Sequence, residues 1–284
     1  MAITDDLGRE VRLAAPARRI VALYGAFNEM LAAMDLADRI VARTQADTLP
    51  PSIVALPVIG THMRPNTELV VGLAPDLVLQ MGGRSQATEA VAALERLGVP
   101  TACFEAGSFE ALFGVIRRLG VLTAAPDRAE ALIASMRARL DRVAEAVRAA
   151  PAMPRVFFEV RYPNLLAAGR GSIVSQVIQA AGGENCVEAP GRIARLNEEE
   201  ALRLAPDAWL VQRGPMNPDP TPLADRPHFA ALAAARSGRV LVVDEGTYSR
   251  PGPRLVDAVE ELAAWLHPGL LPATGGPEEI QRHE

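Results

Sequence analysis

Lysine is absent: all 29 basic residues of the chain are arginine. Schiff-base enzymes and Walker-type phosphate loops both depend on the lysine amine, so both chemistries are excluded. Cysteine is almost absent too. Cys103 and Cys186 are too few for a disulfide framework and too far apart for a CxxC site, and two buried free thiols are expected. Aromatic residues make up 4% of the chain, so its core must be mainly Ala, Leu and Val; the 49% hydrophobic content is ample for that. No apolar run approaches the roughly 18 residues that span a bilayer, and Met1–Glu10 has no signal-like apolar segment. A net charge of −5 without a long basic block argues against a nucleic-acid binder.

Several catalytic templates are also missing. There is no GxSxG elbow and no HExxH, and GRGS at 169–172 has Val174 where a dinucleotide fingerprint needs its third glycine, so it reads as a turn and helix cap. His62, His228, His267 and His283 are scattered, which argues against several imidazoles around one metal.

What is present is a repeat. The stretch GTHMRPNTELVVGLAPDLVLQ, Gly60 to Gln80, reads as loop, capped helix and strand: Asn66 is a helix N-cap, Glu68 sits in the first turn, and Pro75 ends the helix before Leu77–Leu79. NEEEALRLAPDAWLV, from Asn197, matches NTELVVGLAPDLVL, with Asn197 on Asn66, Glu199 on Glu68 and Leu204–Asp207 on Leu73–Asp76. Glu198–Glu200 then reads as dipole complementation in a first helical turn. A short helix feeding a buried strand cannot form a core alone, so two copies predict two similar α/β lobes.

The rest of the chain fits that plan. Ile3–Leu13 alternates around Asp6–Gly8 and predicts a hairpin, and strands are predicted at 19–23, 40–42, 58–59, 77–79, 101–104, 155–160, 208–211 and 240–243. Helices are predicted from Ala26 or Asn28 to Met34, and over Ser85–Leu97, Ser108–Leu122, a segment capped by Ser172 and ended by Gly182, His228–Ala235 and Arg254–Leu266, with Asp244–Pro253 a loop. Pro126–Ala150 contains no Gly and no internal Pro and keeps helical periodicity; a helix there would reach roughly 35 Å at 1.5 Å per residue, enough to join two lobes. The fold class is therefore α/β, with two Rossmann-like lobes of parallel sheet: an N-terminal lobe over 1–125, an interlobe helix over 126–150, a C-terminal lobe over 151–267 and a Pro/Gly-rich tail over 268–284.

In parallel α/β sheets ligands bind beyond the C-terminal ends of strands. The residues predicted there are Tyr24 and Phe27; Thr61, His62, Met63 and Arg64; Met81 with Gly82 and Gly83; Arg161 and Tyr162; Arg213 and Met216; Tyr248 and Arg250. All three tyrosines of the chain fall in this set. Taken singly, such a Tyr is ordinarily a packing residue, such an Arg solvated or paired, and His62 a structural group. As a set they supply flat apolar area with polar tips and planar, permanently charged donors, which suit a bulky anionic or conjugated small molecule.

With RRIVAL, FNEMLAAMDLADRIVART, the 60–80 stretch, LERLGVP, the long helix and SIVSQVIQAAGGEN before LNEEEALRLAPDAWLV, residues 3–267 resemble the ferric-siderophore, haem and cobalamin substrate-binding proteins of ABC importers. The resemblance implies two α/β lobes joined by one long helix, a ligand cleft between them and no catalysis. It also implies no intrinsic cofactor, a metal chelate as ligand and an importer permease as partner. Tyr24, His62, Met63, Arg64, Arg161, Tyr162, Arg213, Met216, Tyr248 and Arg250 would line the cleft, with His62 a possible metal ligand. Docking on the permease would use Glu89 in the first lobe and Asp219 or Asp225 in the second. The protein is expected to be a monomeric periplasmic protein or extracytoplasmic lipoprotein, its mature form carrying an added Met1. An iron complex, either ferric siderophore or haem, is the favoured ligand. Corrinoid follows, since Trp209 and Trp265 fall in a strand and a helix and not at strand ends. The alternatives are an oxyanion such as molybdate or tungstate, or a two-domain metal chelatase-like enzyme.

Overall fold

The computed structural model describes residues 1–82 and 85–271, so Gly83 and the 272–284 part of the tail lie outside the described residues. The chain divides into two compact units, the first comprising Met1–Met136 with Pro251–Pro253 and the second Arg137–Arg250 with the residues from Arg254 on.

In the first unit, strands β1 (Ala2–Thr4) and β2 (Glu10–Arg12) form the expected antiparallel hairpin. The main sheet follows: β3 (Ile20–Ala22), helix α1 (Gly25–Ala33), β4 (Ile40–Ala42), α2 (Thr67–Gly72), β5 (Leu77–Met81), α3 (Ser85–Arg96), β6 (Thr101–Phe104) and α4 (Phe109–Leu122). Its order is β4-β3-β5-β6, parallel throughout. Val21, Leu23, Ile59, Val70, Val78 and Leu94 form a core of aliphatic side chains. Helix α5 (Pro126–Val147) is continuous, and the division between the units falls within it.

The second unit contains β7 (Arg155–Arg161), β8 (Leu166–Ala168), α6 (Ile173–Ala180), β9 (Glu184–Asn185), β10 (Ile193–Arg195), α7 (Glu198–Arg203), β11 (Ala208–Arg213), α8 (Ala233–Arg236), β12 (Val240–Asp244), α9 (Glu245–Tyr248) and α10 (Leu255–Leu266). Its sheet runs β10-β8-β7-β11-β12, with β9 also on β7. Strands β7, β9, β11 and β12 are parallel, whereas β8 and β10 add an antiparallel edge that the sequence pattern did not indicate. Two other expectations are corrected. His228–Ala235 is not one helix, because His228 has φ 67° and a short 3-10 turn precedes α8. The loop expected over 244–253 contains α9, which Asp244 caps by accepting the Thr247 N–H at 2.7 Å.

The sequence repeat is a structural repeat. Asn66 Oδ1 accepts the Leu69 N–H and Asn197 Oδ1 that of Glu200, whose carboxylate accepts the Asn197 N–H in return as a capping box. Both helices stop at an alanine in the left-handed region, Ala74 at φ 45° and Ala205 at φ 44°, and proline follows each, so the helix cannot continue. The aspartate after that proline then reaches the neighbouring strand. Asp76 Oδ2 accepts the N–H groups of Arg18 and Arg19 at 2.6 and 3.0 Å, and Asp207 Oδ2 that of Arg155 at 2.8 Å. Main-chain bonds from Asp76 to the Arg19 carbonyl and from Asp207 to the Arg155 carbonyl close the pair. Arg19 and Arg155 donate in turn to the Leu73 and Leu204 carbonyls, each at 2.7 Å, at the negative ends of α2 and α7. Replacing Asp207 with Ala removes the side-chain acceptor of the Arg155 N–H, leaving the main-chain bond, and should lower stability by about 1 kcal/mol, with Asp76→Ala acting similarly on β3; chemical denaturation midpoints measure both.

In the second unit α5 is tied to α10 by Arg139, whose guanidinium donates to both Glu260 oxygens at 3.0 and 2.5 Å and to Asp257 at 2.6 Å. The hydrogen bond from Arg139 holds the Glu260 carboxyl below its ordinary value of 4.5. A carboxylate with a depressed folded-state pKa adds stability above its unfolded value and loses it as pH falls through the folded one. Glu260→Gln should therefore cost up to about 1 kcal/mol in urea melts at about pH 7, and progressively less as the pH is lowered below the ordinary carboxyl value of 4.5.

Candidate functional site

Two groups of strand-end residues, one per unit, carry the polar chemistry, and each is held by a different device. In the first unit, β3 runs into Tyr24, the residue preceding α1. A loop from Gly60 to Pro65 stands beside the end of β5. Gly60 has φ 95°, and a Cβ there would lie 2.8 Å from the Arg64 carbonyl oxygen, so only glycine permits the turn. Thr61 Oγ1 accepts the Arg64 N–H, and Gln80 Nε2 donates to the His62 carbonyl at 2.9 Å. Gln80 is buried at the end of β5, and its Oε1 accepts the Met81 N–H, so the amide ties the loop to the sheet. Thus fixed, His62 meets Tyr24 edge to face, with ring centroids 5.9 Å apart. A phenol and an imidazole, side chains of two types that ligate iron, thus pack ring against ring on the first unit. Met63 and Arg64 instead line a depression of about 370 Å³ together with Glu89.

In the second unit the strand ends rest on a buried ion pair. Arg226 and Glu159 are fully buried and paired through both guanidinium nitrogens, while Trp209 Nε1 donates to the same carboxylate at 3.1 Å. Arg226 also donates to the Thr221 carbonyl, which pins the proline-rich loop after β11. Its guanidinium lies 4.2 Å from the centre of the Tyr162 ring. Tyr162 is half-buried, meets Phe229 edge to face at 6.1 Å, and donates its hydroxyl to Glu198 at 2.9 Å. Burial, then the bond to Glu198, push its phenol pKa up, and that bond commits the hydroxyl to Glu198. Beside it, Arg161 is half-buried, and its Nε is buried without a hydrogen-bond partner among the described residues.

The other expected residues divide. Arg213 is exposed at the end of β11 and lines an apolar hollow of about 320 Å³ with Val211, Val240, Val242 and Leu223. Met216 is exposed, and its N–H is accepted by Glu245. Arg250 is half-buried and Phe27 is a core residue. Tyr248 is the clear correction: it is fully buried, faces Phe158 at 6.3 Å and donates its hydroxyl to Glu261, so it belongs to the core under α10 and presents no ring to a ligand. Residue pattern alone missed Gln80, Glu159 and Arg226. A glutamate and an arginine deep in a predicted core would have been the available signal, since such charges are buried only when paired. Glu89, Asp219 and Asp225 are exposed. Cys103 and Cys186 are free and buried, and burial pushes their thiols up to about 11 and about 12. Among the described residues no group of His, Cys, Asp and Glu side chains could by itself hold a metal ion, and no helix is long and apolar enough to cross a membrane.

A family model described as periplasmic binding protein matches residues 20–247. The chain belongs to that family. It is 27% identical over 271 residues to the ABC transporter substrate-binding lipoprotein YvrC of Bacillus subtilis, covering 94% of this chain and 85% of that one. It is 27% identical over 275 residues to the cobalamin-binding protein of Halobacterium salinarum, covering 93% of this chain and 73% of that one. Among solved structures, a periplasmic haem-binding protein from Pseudomonas aeruginosa is similar with a TM-score of 0.80 at 26% identity, covering 91% of this chain and 95% of that one. The α/β sheets described above are those of a two-lobe binding protein.

The buried pair gives a stability test of the site. Arg226→Met strands the Glu159 charge and should destabilise the protein by about 3–5 kcal/mol, whereas the double variant Glu159→Gln/Arg226→Met should recover a large part of that in the same denaturation assay.

Proposed function

We propose that this chain is the extracytoplasmic, non-catalytic binding protein of an ABC importer and that its cargo is an iron complex, haem foremost. The observation that carries this reading is the Tyr24–His62 pair, an oxygen and a nitrogen ligand type held by Gln80 and Gly60 on one unit. The second unit, taken by itself, carries a further candidate set. Arg161 would meet an anionic group of the chelate, and the neutral Tyr162 ring would stack on its flat surface. The haem-binding relative supports this choice. A corrinoid is the second reading, favoured by the cobalamin-binding relative; against it, Trp209 is buried in the sheet and donates to Glu159, so it is not a stacking surface. Exposed Glu89, Asp219 and Asp225 suit docking on a basic permease surface, where charge pairs steer encounter and fix register.

Haem and cobalamin titrations of the purified protein, followed by absorbance, test the cargo. Haem should bind with a shifted Soret band, Tyr24→Phe or His62→Ala should change that band, and Arg161→Ala should weaken binding by about 1–3 kcal/mol. Binding of cobalamin with no haem response would replace the first reading by the second. Ala at Glu89, Asp219 and Asp225 together should leave haem affinity intact and abolish uptake in cells; loss of haem binding in that variant would place these acids at the ligand instead.

A further inference from the structure

Each of the two main sheets has two edges, and an uncovered edge strand offers unpaired main-chain groups to another strand. Three of the four edges are covered or blunted. On the first sheet, β4 is continued by 57–59, a short segment that begins at Pro57 and pairs with Arg43 through a single bridge. The other edge, β6, lies under the N-terminal hairpin turn: the Asp5 and Asp6 carboxylates accept the Cys103 and Glu105 N–H groups, and the Cys103 carbonyl accepts the Asp6 N–H at 3.0 Å. On the second sheet, β10 is only 3 residues long and ends on exposed Arg195. Strand β12 has none of these devices.

Strand β12 reads VLVVD, pairs only with β11 among the described residues, and leaves Val242 43% exposed. The register fixes which of its main-chain groups face outward. Trp209 stands opposite Val240 and donates its N–H to the Arg239 carbonyl at 2.9 Å, so residues 239, 241 and 243 turn their main-chain groups toward β11. Both main-chain groups of Val240 and Val242, and the Asp244 N–H, therefore point away from the sheet. Val240 and Val242 also border the apolar hollow of about 320 Å³ with Val211, Leu223 and Arg213, so the edge is apolar beside its free hydrogen-bonding groups.

We propose that β12 is an interface strand whose partner is the β12 of a second copy of this chain, paired antiparallel about Val242. The strand is self-complementary in hydrogen bonding. With Val242 opposite Val242 of the second copy, Val240 falls opposite Asp244, and outward groups meet outward groups: the two valines at the centre exchange both bonds, and each Asp244 N–H donates to the Val240 carbonyl opposite. Charge agrees with that direction. Arg239 precedes the strand, held by its bond to the Leu266 carbonyl at 3.2 Å, while Asp244 and Glu245 follow it. Antiparallel pairing brings the arginine of one copy to the acids of the other, where parallel pairing would set like charges together. The two-fold arrangement uses both β12 edges at once and leaves none for a third copy. It departs from the monomer that the family resemblance implied, and it is independent of which cargo is bound.

Sedimentation equilibrium of the full chain from about 1 µM to about 1 mM, a range that covers weak association, provides the test. Wild type should pass from monomer to dimer and no further. Val242→Lys sets two ammonium groups face to face at an exposed position, so it should weaken the dimer at least about tenfold while leaving the denaturation midpoint unchanged. Two cysteine variants check the register, against a background of native thiols that are buried. Residues opposite each other in a hydrogen-bonded antiparallel pair have Cα atoms about 5.5 Å apart, within disulfide reach, so Val242→Cys should yield a disulfide-linked dimer on mild oxidation. The two copies of Val240→Cys would stand several residues apart and should not cross-link. A wild type that is monomeric throughout, a Val242→Lys dimer as tight as wild type, or equal cross-linking of both cysteine variants would overturn the proposal. A monomer whose denaturation midpoint falls on Val242→Lys would place a segment of the same chain on the edge and overturn it too.

Discussion

The clamp between an aspartate and the first N–H groups of a neighbouring strand is the interaction on which both sheets depend. A parallel pair has no hairpin to set its register, so something local must decide where one strand begins against the next. Asp76 does this for β3 against β5, and Asp207 for β7 against β11. The preceding Ala–Pro step makes the aspartate available: left-handed Ala74 and Ala205 turn the chain out of α2 and α7, and proline prevents its return. Arg19 and Arg155 close the loop on the helix carbonyls. With the strand starts fixed, the strand ends are fixed too, and those ends carry the chemistry.

The two units solve the problem of holding strand-end side chains by different means. In the first, one neutral amide, Gln80, and one glycine, Gly60, fix a short loop so that His62 and Tyr24 meet. In the second, a long proline-rich loop is pinned by a charge taken out of water. The Arg226–Glu159 pair contributes little net stability by itself, but either partner alone would be strongly unfavourable, which makes the arrangement all-or-none. Tyr162 inherits its position from that pair through the face of Arg226, and its hydroxyl is committed to Glu198. On the proposed reading that ring would stack on the cargo and the mixed Tyr–His pair would serve its iron.

The absence of lysine takes on meaning beside this. Arginine remains charged at any working pH and presents a planar fork, so the arginine contacts among the described residues are directional. The same residue type caps a helix end at Arg19, ties α5 to α10 at Arg139, is buried against Glu159 at Arg226 and waits half-buried at Arg161.

Much of this was legible in the residues. The Asn…Leu-Ala-Pro-Asp repeat determined two similar α/β units, since cap, breaker and strand start are local properties of adjacent residues; the hairpin at 2–12 and the long helix from Pro126 followed from period and punctuation for the same reason. Strand ends nominated Tyr24, His62, Arg161 and Tyr162 along with Met63, Arg64, Arg213, Met216, Tyr248 and Arg250, and the cargo role of those nominees stays a proposal. Periodicity could not decide what depends on distant partners. The antiparallel edge of β8 and β10 was hidden because such short strands carry too few residues to show a period. Tyr248 looked like the other two tyrosines in sequence, but α9 turns it under α10 to meet Glu261. The partnership of Glu159 with Arg226 joins residues 67 apart in the chain. Sequence determined which side chains reach the ends of the strands; only the tertiary structure decided which of them are already satisfied, because a hydrogen bond is a matter of separation in space and not of spacing along the chain.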